Sequence, residues 1–212
     1  MRAKVLLADP QALVLEAFAR LLAPKFEVVG GATDGVRLVE EALRLRPDLV
    51  LMDLALPRLG GLLAAGRLRA ELPATRVVFL AAHADPRAAA EAFRVGAVGY
   101  VLRSASAHEL TRALRSVLRG ERWLSPALAG GDPEALKEAR GPGPLGRLSA
   151  RKREVVQLLA EGHSMKQAAA ALGLSTRTIA FHKYQAMRAL DLTSSAQLVR
   201  FAVESRLVAA GI

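Results

Sequence analysis

Five short apolar runs alternate with five helical stretches across the first 120 residues, and few folds accept that pattern. Residues 5–8, 27–31, 49–52, 76–81 and 99–102 have strand length and character. Residues 11–22, 36–45, 62–72, 86–95 and 106–119 carry helical periodicity, the last opened by Ser106 with Glu109 three residues on. Leu49-Val50-Leu51-Met52 is apolar without alternation, as a central strand covered on both faces requires. The alternation predicts an α/β doubly wound sheet of five parallel strands. Sites in such sheets form beyond the carboxyl ends of the strands. Asp9 and Asp53 each directly follow a strand and are expected at that rim, where acids also serve as turn and capping residues.

A different grammar governs residues 162–192. Ser164 and Gln167 form a capping box, and Met165, Ala168, Ala169 and Leu172 repeat at helical spacing. Gly173 gives the backbone freedom to end that helix, and Ser175 is an N-cap for the next, in which Ile179, Ala186, Met187 and Leu190 make an apolar stripe. Arg177, Ala180, Phe181, Tyr184 and Arg188 share the opposite side, which holds no acid. Two short helices around a tight turn, the second cationic, read as an all-α helix-turn-helix, against the alternative of an ordinary helical hairpin with a solvated polar face.

Charge agrees with an anionic partner. The net charge is +10, and residues 148–212 hold nine Lys/Arg against four Asp/Glu, the most basic part of the chain per residue. No cysteine is present, which excludes disulfides, thiolate metal sites and thiol catalysis. The N-terminal MRAKVLLADPQ is too short an apolar run for a signal peptide, and no stretch has the length of a membrane span. A cytoplasmic protein without membrane association is expected. No metal ligand set is expected either: His182 has no second His or acid at ligand spacing.

Residues 148–156 (LSARKREVV), 159–162 (LAEG), 168–179 (AAAALGLSTRTI) and His182 resemble the LuxR/FixJ-type (NarL-like) DNA-binding domain. Residues 51–61 (LMDLALPRLGG) and 96–102 (GAVGYVL), with Asp9, resemble the CheY-like receiver domain of response regulators, which implies a flavodoxin-like fold. The resemblance implies three parts: a receiver over 1–120, a linker over 121–147 with a short helix near 133–140, and a DNA-binding domain over 148–212. It places Asp53 at the phospho-accepting aspartate, Asp9 at the first of two paired acids and Tyr100 at the switch aromatic.

Three positions depart from that pattern. Pro10 stands where the second, magnesium-binding acid is expected, Ala81 where a Ser or Thr should report the phosphoryl group, and Arg103 where a lysine should pair with it. Phosphoryl transfer to a carboxylate needs a divalent cation against crowded negative charge, and magnesium takes near-octahedral oxygen ligation. Proline offers no side-chain oxygen, alanine no hydrogen bond, and arginine keeps the charge without lysine's compact geometry. Control by phosphorylation at Asp53 is therefore expected to be impaired or absent, with Arg103 neutralising Asp9 and Asp53. The alternative is a conventional two-component regulator in which Asp53 is still phosphorylated. No cofactor is expected, and magnesium enters only under that alternative.

The resemblance also assigns the DNA-reading residues. Ala180, Phe181 and Tyr184 face the major groove, Arg177, Lys183 and Arg188 reach its edges, and Thr176 and Thr178 bind phosphate with the amides of the helix start. Lys166, with Lys152 and Arg153, adds sequence-neutral attraction. The last helix, capped by Ser194 and Gln197, offers Leu198, Val199 and Ala202 as a dimer face. Expected partners are double-stranded DNA and a second copy of the chain, with RNA polymerase and a histidine kinase as candidate contacts. Catalysis by an Asp-nucleophile hydrolase is disfavoured, because Ala55 stands where the second carboxylate would and no His or Lys base lies beside Asp53.

Overall fold

In the computed structural model, which describes residues 2–128, 144–205 and 207–208, the apolar runs become strands whose alternate residues serve two different cores. Strands β1 (Lys4–Ala8), β2 (Glu27–Ala32), β3 (Leu49–Asp53), β4 (Arg76–Ala81) and β5 (Gly99–Leu102) alternate with helices α1 (Ala12–Leu22), α2 (Gly35–Leu45), α3 (Gly61–Glu71), α4 (Pro86–Val95) and α5 (Ala107–Leu118). Among the described residues all strand pairings are parallel, in the order β2-β1-β3-β4-β5-β6, with β6 at Trp123–Leu124. Val5, Leu7, Leu49, Leu51, Val78 and Leu80 pack under α1 and α5, while Leu6, Ala8, Val50, Met52 and Phe79 pack under α2, α3 and α4. The period-2 geometry of a strand makes that division, and burial on both faces explains the unbroken apolar run of β3.

Among the described residues the sheet has six strands rather than the expected five. Trp123–Leu124 forms β6, parallel to β5, with Gly99 opposite Trp123 and Tyr100 opposite Leu124. Two residues are too few to show alternation, so no pattern announced the strand. Beyond it, the buried Ser125 hydroxyl accepts from the Leu102 amide at 3.1 Å and donates to Glu109 at 2.7 Å. Glu109 is thus spent on Ser125, while Ser106 alone caps α5. The receiver sheet consequently runs past residue 120. The short helix expected near 133–140 lies outside the described residues.

After a 3-10 turn at Pro144–Arg147 come α6 (Ala150–Ala160), α7 (Met165–Leu172), α8 (Thr176–Ala189) and α9 (Ser195–Glu204). Ser164 and Gln167 make the expected capping box on α7. Gly173 ends α7 at φ +63°, a left-handed conformation that glycine adopts without a Cβ penalty, and Ser175 caps α8. Val155, Leu158, Ala168, Ala169 and Ile179 form the core of this helical part. A second apolar group, Val156, Ala186, Met187, Leu198 and Ala202, is continuous with the α2–α4 side of the receiver core.

Candidate functional site

The carboxyl ends of β1, β3 and β5 bring Asp9, Asp53 and Arg103 together. One guanidinium nitrogen, Nη2 of Arg103, donates to Oδ2 of Asp9 and, at 2.7 Å, to Oδ2 of Asp53. The second carboxylate oxygen of Asp9 accepts from the Gln11 amide at 2.9 Å. Asp9 is buried and Asp53 nearly so, their side chains 4% and 16% exposed. Burial holds the Asp53 carboxyl above its usual range, Arg103 opposes that shift, and the neighbouring Asp9 adds to it.

Of the three altered positions, Pro10 follows β1, Ala81 ends β4 and Arg103 follows β5. Pro10 is exposed and brings no oxygen to the rim. Ala81 is buried at the end of β4, and its carbonyl accepts from the Arg103 amide at 2.8 Å, which sets the origin of the bridging side chain. Tyr100 is fully buried. Two carboxylates already joined by a guanidinium do not make the oxygen-rich set that magnesium takes. Among the described residues no group of three or more His, Cys, Asp or Glu could hold a metal ion.

The loop leaving Asp53 is anchored from both sides. Gly61 donates to the Leu54 carbonyl at 3.0 Å and Gly35 to the Pro57 carbonyl at 3.1 Å. Arg58 takes φ +63°, a left-handed conformation unusual for a side-chain-bearing residue. A Cβ on Gly61 would stand 2.5 Å from the Asp53 carbonyl oxygen, so this position needs glycine for the close approach.

On α8 the side opposite the apolar stripe is open. Phe181 is 59% and Tyr184 64% exposed, and Thr176, Arg177 and Arg188 are exposed as well. Ala180 is half-buried between them. Lys183 is directed differently from its neighbours: its ammonium donates to the Ser195 hydroxyl at 2.7 Å and lies 5.6 Å from the Tyr184 ring centre. It ties α8 to the start of α9. Thr178 is engaged in the cap, 2.8 Å from the Ser175 hydroxyl, and Lys166 is exposed on α7. His182 keeps a buried Nδ1 that has no hydrogen-bond partner among the described residues.

Two expectations need correction on geometry. Leu198 and Ala202, offered as a dimer face, are buried in the chain's own core because their i, i+4 side of α9 packs on α6; only Val199 of the three is exposed. Arg153, expected to attract DNA, is buried: its Nε donates to the carbonyls of Leu145 at 2.9 Å and Leu148 at 3.1 Å, and its Nη1 stands 3.4 Å from Glu91.

Residues 5–115 match the response regulator receiver domain, and residues 147–202 match the bacterial regulatory proteins of the luxR family. The chain is a response regulator of the LuxR family. It is 30% identical to the oxygen regulatory protein NreC of Staphylococcus carnosus, over 97% of this chain and 99% of that one. The NreC of Staphylococcus aureus is 31% identical, again over 97% of this chain. Among solved structures, a LuxR-family response regulator from Aurantimonas is 33% identical with a TM-score of 0.60, covering 66% of this chain and 99% of that one. RcsB from Salmonella enterica serovar Typhimurium, solved on a promoter with a phosphomimetic, has a TM-score of 0.66 at 24% identity over 96% of this chain and 100% of that one, a likeness of fold.

Within this response regulator, sequence reasoning missed the contacts between the two parts. Gln157 is fully buried; its Oε1 accepts from the Gly60 amide at 2.6 Å, and its Nε2 donates to the Leu56 carbonyl at 3.1 Å and to Glu161 at 2.7 Å. Arg67 reaches Glu154 at 2.6 Å. The signal was a glutamine set among Val155, Val156, Leu158 and Leu159, a polar group in an apolar environment that required a partner from elsewhere.

Proposed function

We propose that this response regulator binds double-stranded DNA sequence-specifically through α8, as a homodimer, and that its receiver works without acyl-phosphate control. The single observation that carries the second half is the bridge from Arg103 Nη2 to both Asp9 and Asp53. Its positive charge stands between the carboxylates where a divalent cation would be needed, and it leaves Asp53 paired instead of poised as a nucleophile. Pro10 and Ala81 remove the other two groups that such chemistry uses. The chain then acts as a DNA-binding regulator and not as an enzyme, and needs no histidine kinase to set its state.

Support for DNA reading comes from the exposed side of α8, where Phe181 and Tyr184 stand between Arg177 and Arg188. A helix of this width enters the major groove, apolar rings suit thymine methyl groups, and the tyrosine hydroxyl suits a base edge or phosphate. Solved relatives include two RcsB dimers bound to two parallel DNAs. For this chain a dimer is proposed through the outer side of α9, where Val199 and Arg200 are exposed. Incubation with phosphoramidate and magnesium, followed by weighing the intact chain, tests the receiver reading. An unshifted mass supports it, and stoichiometric acyl-phosphate on Asp53 restores the conventional switch. Selection of bound duplexes from a random pool tests the DNA reading.

A further inference from the structure

The loop between Asp53 and α3 presents two backbone groups to a single side chain of the DNA-binding part. Gly60 N–H and Leu56 C=O are taken by Gln157, and the Arg58 backbone favours the ionised form of the Glu161 carboxyl against the effect of its burial. Glu161, the C-cap of α6, stands one turn beyond Gln157, and the two are joined at 2.7 Å. One side chain therefore holds two loop residues four apart and is itself held by Glu161, a match that fixes the relative rotation of the two parts. Two ion pairs flank it, Arg67 with Glu154 at 2.6 Å and Arg153 with Glu91 at 3.4 Å.

What this clasp covers matters as much as what it holds. It buries the Gln157 side of α6, and the Leu207 carbonyl lies close to Gly60, within 3.5 Å of where a Cβ there would stand. It leaves α8 outward, with Phe181 and Tyr184 more than half exposed while the clasp is closed. The cations it uses are Arg67 and Arg153, not Arg177 or Arg188. The loop it grips is itself held at its Asp53 end by Arg103.

We infer that the clasped arrangement is itself the DNA-binding form: the receiver is a fixed platform that positions α8 through Gln157 and Glu161, instead of a domain that must swing away before DNA can enter. The inference rests on the reading of α8 as the DNA-reading helix. Rigid placement of two reading helices in a dimer favours one spacing of half-sites, whereas freely swinging domains tolerate several.

The chain has no cysteine, so a cross-link can be placed cleanly. In the Arg67→Cys, Glu154→Cys double variant of the full chain, a short bismaleimide should join the two positions in high yield. The cross-linked protein should bind a selected duplex within about fivefold of the unlinked double variant, since closure costs binding nothing. A larger loss on cross-linking overturns the inference, as does failure of the two positions to link in solution. Absence of binding by the unlinked double variant and by the parent chain alike would instead remove the DNA reading on which the inference rests.

Discussion

Arg103 and Asp53 are joined at 2.7 Å by the same guanidinium nitrogen that also donates to Asp9. Two carboxylates forced together at the end of a parallel sheet repel each other, and burial sharpens the repulsion. A receiver pocket that keeps both acids needs a cation between them. Here the chain supplies one covalently, from the end of β5.

Arg103→Ala leaves Asp9 and Asp53 facing each other without compensation. Removing one partner of a fully buried pair costs about 3–5 kcal/mol. The Arg103 side chain is 24% exposed, so a loss of about 2 kcal/mol is expected at neutral pH. Chemical denaturation of the variant beside the parent measures it, and Arg103→Lys should recover part of the loss.

Asp53→Asn changes the pH dependence instead. The Asp53 carboxyl is raised above its usual 3.8 in the folded chain, chiefly by burial. A raised folded value means that the native state holds the proton more tightly than the unfolded one. Its stabilising contribution is full below the ordinary value and is lost as pH rises through the folded one. The variant lacks that decline, so its stability curve should be flatter above about pH 4. Melting temperatures across pH for both proteins check the slope; identical slopes would contradict the assignment.

Gln157→Ala deletes the partner of the Gly60 amide and the Leu56 carbonyl. An unsatisfied buried polar group costs about 1–3 kcal/mol. That penalty falls on the junction between the two parts, since either group regains water when the junction opens. Limited proteolysis should show faster cutting between the parts, with the receiver's own melting little changed.

Tyr184→Ala is expected to weaken binding to the selected duplex by about 1–3 kcal/mol and to a scrambled duplex far less. Lys166→Ala should weaken both alike and reduce the salt dependence by about one counterion. Titrations over a range of salt separate them. Equal losses for the two variants on both duplexes would strip Tyr184 of its role in sequence reading.

Much of this architecture was legible in the chain because it depends on local period. The unbroken apolar run at Leu49–Met52 marked the central strand, and the caps Ser164, Ser175 and Ser194 marked three helix starts that the structure keeps. Part of the pocket was legible too: Asp9 and Asp53 follow recognisable strands, while Arg103 was pointed to only by the resemblance to receiver domains. What stayed hidden was long-range. Two-residue β6 has no period to detect, and its pairing with β5 is a tertiary choice. Leu198 and Ala202 read as spare apolar surface because nothing in α9 alone shows that α6 covers them. Arg153 read as a surface cation because Glu91 is 62 residues away in the chain.

The most direct test of the whole account is a binding titration of the purified chain against its selected duplex, with and without phosphoramidate and magnesium, at one fixed salt concentration. Superimposable curves with saturable, sequence-dependent binding are predicted. Tighter binding after treatment, accompanied by acyl-phosphate on Asp53, would contradict a receiver held by Arg103.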